Sequence, residues 1–153
     1  MAITVSIKLN RELELPASYD EAFDLLADVP ESASHFPKVR KLVDLGDNTY
    51  RWEMEKVGVD KYAIQSVYAC KYYADREQGK ISWEPVKGEG NGVVSGYWTL
   101  QAKGKNATAV KFHTSAELTL PLPGMLKLAI SPVIKHEFNS LVDTYMNNLK
   151  KAF

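Results

Sequence analysis

Apolar and polar residues alternate at the start of the chain. Apolar side chains recur at every second position from Ile3 to Leu15, polar side chains fill the positions between them, and Arg11 alone interrupts the apolar series. A period of two residues is typical of a β-strand with one buried face and one solvated face. The pattern therefore predicts a long first strand, which Pro16 ends.

The next segment predicts two short helices. Ser18 and Glu21 have the spacing of a capping box, so a first helix is predicted over Tyr19–Asp28. A second helix is predicted over Glu31–Phe36, because a proline stands on each side of it. The leading proline suits the first turn of a helix, and the trailing proline favours its end.

Six further strands follow, separated by turn signals. Clusters such as Gly46-Asp47-Asn48 and Gly104-Lys105-Asn106 favour turns, and Gly58-Val59-Asp60 is predicted to be a hairpin loop. Short connections between consecutive strands favour antiparallel pairing, so the first strand and these six predict a seven-stranded antiparallel sheet. The six predicted strands are Val39–Leu45, Tyr50–Val57, Lys61–Ala74, Ile81–Val86, Val93–Ala102 and Thr108–Leu120.

The last segment changes to the helical period. Apolar residues recur every three to four positions from Leu126 to Leu149, which predicts one long amphipathic helix. Pro132 lies within this pattern, and a proline in a helix interior costs about 3 kcal/mol. We therefore expect a short helical piece over Gly124–Ile130, a break or kink at Ser131-Pro132, and then the long helix with Ser131 as its N-cap.

Together these elements predict a single α+β domain over residues 1–153. A curved antiparallel sheet should wrap around the long C-terminal helix, with the two short helices after the first strand. One helix about 10 Å wide cannot fill the concave face of a seven-stranded sheet. Part of that concavity should therefore remain as an apolar cavity, the usual form of a small-molecule site.

Strand and helix parity indicate which side chains face this cavity. In Lys61–Ala74 either parity could face inward, the even set from Tyr62 to Cys70 or the odd set from Ala63 to Ala69, and we favour the even set. The predicted ligand-contacting residues are Trp52, Met54, Ile64, Tyr68, Trp83, Trp98, Leu100, Phe112, Thr114, Phe138, Val142 and Tyr145.

Composition narrows the class of partner. The 19 basic and 19 acidic residues cancel, which removes the electrostatic argument for nucleic acid or an anionic membrane as partner. One cysteine cannot form an internal disulfide. Eight Tyr, five Phe and three Trp are a surplus that the cavity wall would accommodate. No targeting signal and no transmembrane segment are predicted, so a cytoplasmic location is expected.

The sequence lacks the standard catalytic constellations. It contains no phosphate-binding loop, and His35, His113 and His136 do not have the spacing of metal ligands. Cys70 has no neighbouring base and is predicted to be a buried structural thiol. We therefore predict no metal and no cofactor, and we assign no catalytic residue. The polar candidates for orienting a ligand carbonyl or hydroxyl are Tyr62, Tyr68 and Tyr145.

Three short motifs and the element order point to a known fold family. The motifs are Phe36-Pro37-x-Val39, Gly96-x-Trp98-x-Leu100 and Leu122-Pro123-Gly124. In these features the chain resembles the START/Bet v 1-like (SRPBCC, helix-grip) superfamily over essentially its whole length. It is most similar to bacterial polyketide cyclase/dehydrase and lipid-transport members. The strand end at Val57-Gly58 also resembles the G-subunit branch of carbon monoxide dehydrogenase.

The resemblance implies a deep hydrophobic cavity for lipids, sterols, polyketides, quinones or plant hormones, and it transfers no catalytic residue. We therefore expect a carrier or sensor of a hydrophobic small molecule, entered near residues 19–36, the loop 87–92 and the lead-in 122–132. A cyclase or aromatase and an accessory assembly protein are the alternatives, and no protein partner is identified. Convergent acids and bases on the cavity wall would favour the enzyme, whereas scattered hydroxyls would favour the carrier.

Overall fold

The structure, a computed structural model, describes residues 2–59 and 62–153 of the chain. The helices are α1 (Tyr19–Ala27), α2 (Val29–Ala33) and α3 (Lys127–Lys151). The strands are β1 (Ile3–Leu15), β2 (Val39–Gly46), β3 (Thr49–Met54), β4 (Val57–Val59), β5 (Tyr62–Ile64), β6 (Val67–Asp75), β7 (Lys80–Pro85), β8 (Gly92–Gly104) and β9 (Ala107–Leu120).

Seven strands form the main sheet in the order β1-β9-β8-β7-β6-β3-β2, and every neighbouring pair is antiparallel. The predicted α+β architecture is therefore confirmed: a seven-stranded antiparallel sheet with one long C-terminal helix. The two edge strands, β1 and β2, are joined through α1 and α2. This connection brings the two short helices next to the concave face, where they help to enclose the core.

The two short helices begin with the caps that their sequence dictates. Ser18 accepts a hydrogen bond from the amide of Glu21, whose carboxylate accepts one from the Ser18 amide, so the predicted capping box is confirmed. The carboxylate of Asp28 accepts from the amide of Glu31 at 3.2 Å and caps α2. This cap starts α2 earlier than predicted, and the helix ends before it reaches Phe36.

The C-terminal helix is continuous, so of the predicted break or kink at Ser131-Pro132 the break is wrong. A 3-10 turn at Gly124–Leu126 leads into α3, which then runs through Pro132 to Lys151. Pro132 is the sixth residue of α3, and its missing amide removes the bond that an amide there would make to the carbonyl of Leu128. Ser131 consequently lies inside the helix and does not cap it.

The predicted strand Lys61–Ala74 is interrupted after β5 and resumes as β6. The side chain of Asn91 holds this interruption: its Oδ1 accepts from the Val67 amide at 2.9 Å, and its Nδ2 donates to the Gln65 carbonyl at 2.8 Å. Because the asparagine satisfies backbone groups that a continuous ladder would pair, the chain can leave the main sheet at this point.

The strands on either side of the interruption form a separate hairpin. β4 pairs with β5 in a two-stranded sheet, so the predicted strand Tyr50–Val57 is also divided, between β3 and β4. Gly58 and Val59 belong to β4 and not to the predicted loop. The remaining loop residue, Asp60, lies outside the described residues, as does Lys61.

Arg11, the exception in the apolar series of β1, links that edge strand to α3. Its Nε donates to the carboxylate of Asp143 at 2.7 Å, and its Nη2 donates to the side-chain oxygen of Asn139 at 2.8 Å. The odd-numbered apolar residues before it, from Ile3 to Leu9, are buried as predicted. Over residues 2–59 and 62–153, no helix combines the length and the apolar character required to cross a membrane.

Candidate functional site

Two adjoining cavities lie between the concave face of the sheet and α3. We call the one beside Lys38 the outer chamber and the one beside Tyr145 the inner chamber. Their volumes are about 80 Å³ and about 70 Å³, respectively. Tyr68, Val94 and Phe138 line both and mark the boundary between them. Since one water needs roughly 10–15 Å³ of cavity, the pair has room for a small organic molecule.

Aromatic rings form most of the wall of the inner chamber. The ring centroid of Phe112 lies 4.7 Å from that of Trp98 and 5.8 Å from that of Trp83. Tyr145 on α3 closes the opposite side, 6.1 Å from Trp98 and 5.0 Å from Phe36. Tilted and edge-on pairs at these distances stabilise each other beyond their burial. The wall is therefore a connected set of rings that hold one another in place.

Gly96 allows an indole to reach this wall. A Cβ atom at this position would lie 2.6 Å from Cζ2 of Trp83 and 2.2 Å from the carbonyl oxygen of His113. Any side chain would therefore displace the indole ring or separate β8 from β9. Packing explains the motif Gly96-x-Trp98. Gly96 leaves room for the indole of Trp83, and Trp98, two residues further along β8, adds a second indole to the same wall.

Most hydroxyl and thiol groups of the inner chamber are hydrogen-bonded within the protein. The hydroxyls of Ser32 and Tyr145 bond to each other across the chamber, which joins α2 to α3. Thr114 donates to the carbonyl of Ser95 at 3.3 Å. The other two such groups are the Tyr72 hydroxyl, which accepts from Nε1 of Trp52 at 2.9 Å, and the Cys70 thiol, which donates to the carbonyl of Val94 at 3.3 Å.

Burial keeps these acidic groups protonated. It raises the pKa of Tyr145 to about 12, against a smaller lowering by the bond with Ser32. Burial also raises the pKa of Tyr68 and that of Tyr72 well above 10. The pKa of the Cys70 thiol is raised to about 12, mainly by burial. At neutral pH the inner chamber therefore offers neutral hydroxyls and an unreactive thiol, with no thiolate nucleophile.

The outer chamber is aliphatic inside and charged at its mouth. Nζ of Lys38 lies 2.8 Å from the carboxylate of Glu137 on α3, and this hydrogen bond together with the charge of Glu137 raises the pKa of Lys38. Lys38 has a φ of 59°, in the left-handed region, and its carbonyl accepts from the amide of Glu55 at 2.8 Å. The carboxylate of Glu55 also acts on Lys38, so two carboxylates stand beside the one ammonium group.

Parity placed eleven of the twelve predicted residues on the chambers. In the favoured even set of the third predicted strand, Ile64, Ser66, Tyr68 and Cys70 face the chambers. The eleven lining residues are Trp52, Met54, Ile64, Tyr68, Trp83, Trp98, Phe112, Thr114, Phe138, Val142 and Tyr145.

Leu100 is the exception, because it is buried in the core and lines neither chamber. Parity predicts which face of a strand a residue occupies but not how far along the strand the cavity extends. Leu100 has the predicted inward face, but α1 packs on β8 and covers this part of the strand. Tyr62, a predicted polar candidate, packs against the core without lining a chamber. Cys70 is buried, as predicted, and His113 lies on the convex face, stacked on Tyr97 at 5.2 Å.

Sequence reasoning missed the residues that α2 and the loop after it contribute. Ser32 and Phe36 line the inner chamber and Lys38 lines the outer one. A five-residue helix is too short for its periodicity to indicate a buried face. The one available signal was the motif Phe36-Pro37-x-Val39, which marks this segment but not the direction of its side chains.

Comparison with known proteins identifies the fold. No protein-family model matches the chain, and no curated protein matches it significantly. Among solved structures, it is similar to a START superfamily protein from Mycobacterium smegmatis, with 14% identity, a TM-score of 0.66 and coverage of 95% of each chain. The structure thus has the START/Bet v 1-like, helix-grip fold.

Two enzymes share this fold. The Zhui aromatase/cyclase from Streptomyces sp. R1128 has 15% identity and a TM-score of 0.62, covering 96% of this chain and 90% of its own. Norcoclaurine synthase from Thalictrum flavum has 20% identity and a TM-score of 0.60, covering 97% and 87%. Another structure of that synthase contains dopamine and hydroxybenzaldehyde.

Proposed function

We propose that the protein binds a neutral hydrophobic small molecule, of the lipid, quinone or polyketide kind, in the two chambers. The observation that carries this proposal is the pair of adjoining cavities between sheet and α3, the inner one mainly aromatic and the outer one mainly aliphatic. A concave apolar space with a few polar groups is the usual form of a small-molecule site. A structure of norcoclaurine synthase, which has the same fold, contains the small aromatic molecules dopamine and hydroxybenzaldehyde, which supports binding of a small molecule in this fold.

Carriage or sensing suits the inner chamber better than acid–base catalysis. Within the described part of the chain, no Asp, Glu, His, Lys or Arg side chain lines it. General acid–base catalysis needs a group with a pKa near the operating pH, and the phenols of this chamber have pKa values far above that range. The scattered hydroxyls can orient a ligand but are poorly suited to moving its protons. Carriage in the cytoplasm is accordingly our proposal, ahead of the cyclase and accessory-protein alternatives.

The proposal can be tested with a neutral fluorescent probe and a substitution that fills the outer chamber. N-phenyl-1-naphthylamine should bind the wild-type protein with enhanced emission. Ala116 lines the outer chamber opposite Val94, so Ala116→Phe should weaken binding at least about tenfold by occupying that space. Native mass spectrometry of the purified protein should also detect bound apolar molecules.

Ser115→Phe provides the matched control. Ser115 is the preceding residue of the same strand and faces the convex side, so the added ring should leave probe binding unchanged. Denaturation curves of both variants establish that each is folded. The proposal fails if the wild-type protein binds no probe, or if both phenylalanine variants bind it as the wild type does.

A further inference from the structure

The hydroxyl of Tyr68 stands out among the polar groups of the cavity. Tyr68 lies on β6 at the boundary of the two chambers and lines both of them. The other hydroxyls on the inner chamber have partners in the protein, as described above, whereas this one has no hydrogen-bond partner among residues 2–59 and 62–153. Because Tyr68 faces the cavity and is only partly buried, its hydroxyl is open to a partner from outside the protein, such as an acceptor on a ligand.

The ring that carries this hydroxyl is held in a fixed orientation. It stacks on the indole of Trp52, with 6.0 Å between centroids and 16° between planes. The indole is itself fixed, because its Nε1 donates to the Tyr72 hydroxyl at 2.9 Å and its ring meets Phe36 edge-on at 5.7 Å. The position of the Tyr68 hydroxyl is therefore set before a ligand arrives, which reduces the entropy lost on binding.

The free polar groups of the inner chamber can all donate. Burial raises the pKa of Tyr68 above its ordinary value, so the phenol keeps its proton. The indole nitrogens of Trp83 and Trp98, both on the inner chamber, also make no hydrogen bond to any described residue. An indole N–H can only donate, whereas a phenol O–H can donate or accept. An acceptor is consequently the one kind of ligand group that can bond to any of the three.

The surroundings also limit the charge of that acceptor. No cationic side chain of the described residues lines the inner chamber. At the mouth, Lys38 is paired with Glu137, and a further carboxylate, that of Glu55, lies nearby. An anionic ligand would pass like charges and then lose its hydration without a counter-ion. A neutral acceptor such as a carbonyl oxygen avoids both costs.

We propose that the cavity takes a neutral ligand with a carbonyl-type oxygen between two apolar parts, one part in each chamber, and that the Tyr68 hydroxyl donates to this oxygen. This inference rests on the proposed function and adds to it a specificity-determining residue and a ligand class. Neutral ketones and quinones belong to that class, whereas plain hydrocarbons and fatty-acid anions do not.

Two isosteric probes test it. Benzophenone has a carbonyl between two apolar rings, and 1,1-diphenylethylene has the same shape with a methylene group in place of the oxygen. Calorimetric titration of the wild-type protein should give tighter binding of benzophenone. Tyr68→Phe should weaken benzophenone binding about two- to tenfold, the range for one neutral hydrogen bond, and leave 1,1-diphenylethylene unchanged. Tyr73→Phe is the control, because Tyr73 lies on the same strand and is exposed on the outer side.

The outcomes separate this inference from the proposed function. Loss of the preference for benzophenone in Tyr68→Phe alone supports the inference. Equal affinities for the two probes in the wild type, or a preference that persists in Tyr68→Phe, overturns it and leaves the cavity as a binding site. If N-phenyl-1-naphthylamine binds but neither of these probes does, the inference is also overturned. If none of the three binds, the proposed function fails with it.

Discussion

The inner and outer chambers share one sheet and one helix, but they differ in how their walls are held. The inner wall consists of rings and hydroxyls that contact one another, such as Tyr145 with Ser32 and Trp98 with Phe112. The outer wall combines aliphatic side chains with an ion pair between Lys38 and Glu137 at its mouth. The wall of the inner chamber is therefore held by contacts within the core, whereas the mouth of the outer chamber is held by an ion pair at the surface.

The largest expected consequence of this difference is a loss of stability in alkali. Tyr68, Tyr72, Tyr145 and Cys70 all have raised pKa values in the folded state, so they keep their protons where the unfolded chain ionises. Their contribution to the free energy of unfolding is fully present below pH 9, the ordinary pKa of the thiol. It is lost as the pH rises toward the raised pKa values of the folded state. Each group between its two pKa values lowers the free energy of unfolding by about 1.4 kcal/mol per pH unit.

Urea denaturation followed by circular dichroism between pH 7 and pH 10.5 measures this effect. Lys38 and Lys71 have raised pKa values as well, but their contributions begin to fall only above pH 10.5. Tyr50, outside both chambers, also has a raised pKa and adds to the loss above pH 10, so the part of the loss that begins near pH 9, from Cys70, reports on the inner chamber. Tyr145→Phe should reduce the slope, because one ionising group is removed. A free energy of unfolding that stays constant up to pH 10.5 would contradict the assignment of the inner wall to the core.

The next largest loss of stability is expected when one indole of the inner wall is truncated. Trp98 is 2% exposed and contacts Phe112 and Tyr145, so Trp98→Ala should lower the free energy of unfolding by about 3–5 kcal/mol. Val133 lines the outer chamber and is 42% exposed, and Val133→Ala should cost less than about 1 kcal/mol. Equal losses in chemical denaturation would show that the two chambers are equally part of the core.

The smallest effect concerns single hydroxyls. Tyr145→Phe leaves the Ser32 hydroxyl without its partner and should cost about 1–2 kcal/mol, and Ser32→Ala should behave similarly. The double variant should cost less than the sum of the two, because both changes remove the same hydrogen bond. Tyr68→Phe should cost nothing in stability, since its hydroxyl has no partner among the described residues to lose. Additive losses in the double variant would argue against this bond.

The elements set by local pattern were predictable from sequence. Alternation from Ile3 to Leu15 gave both the strand and its buried face, and the spacing of Ser18 and Glu21 gave the start of α1. The periodicity of the last segment gave α3, although the effect of Pro132 was misjudged, because the helix continues through it without the bond to the carbonyl of Leu128. Parity of the central strands then placed most of the aromatic wall.

What depends on contacts between distant residues could not be predicted. The interruption between β5 and β6 is held by Asn91, whose partners lie more than twenty residues earlier in the chain. The bond between Ser32 and Tyr145 joins residues separated by 113 positions, and nothing local in either segment indicates it. The absence of a partner for the Tyr68 hydroxyl among the described residues is likewise a property of the assembled wall.

The small hairpin of β4 and β5 has a consequence for how this chain can change over evolution. It supplies Val57 and Ile64 to the outer chamber, yet its hydrogen-bonded ladder is separate from that of the seven-stranded sheet. Substitutions in the hairpin can therefore alter the shape of the cavity while the register of the main sheet is kept. A lineage that needs to bind a different molecule can vary this segment first, and a protein engineer who diversifies it retains the scaffold.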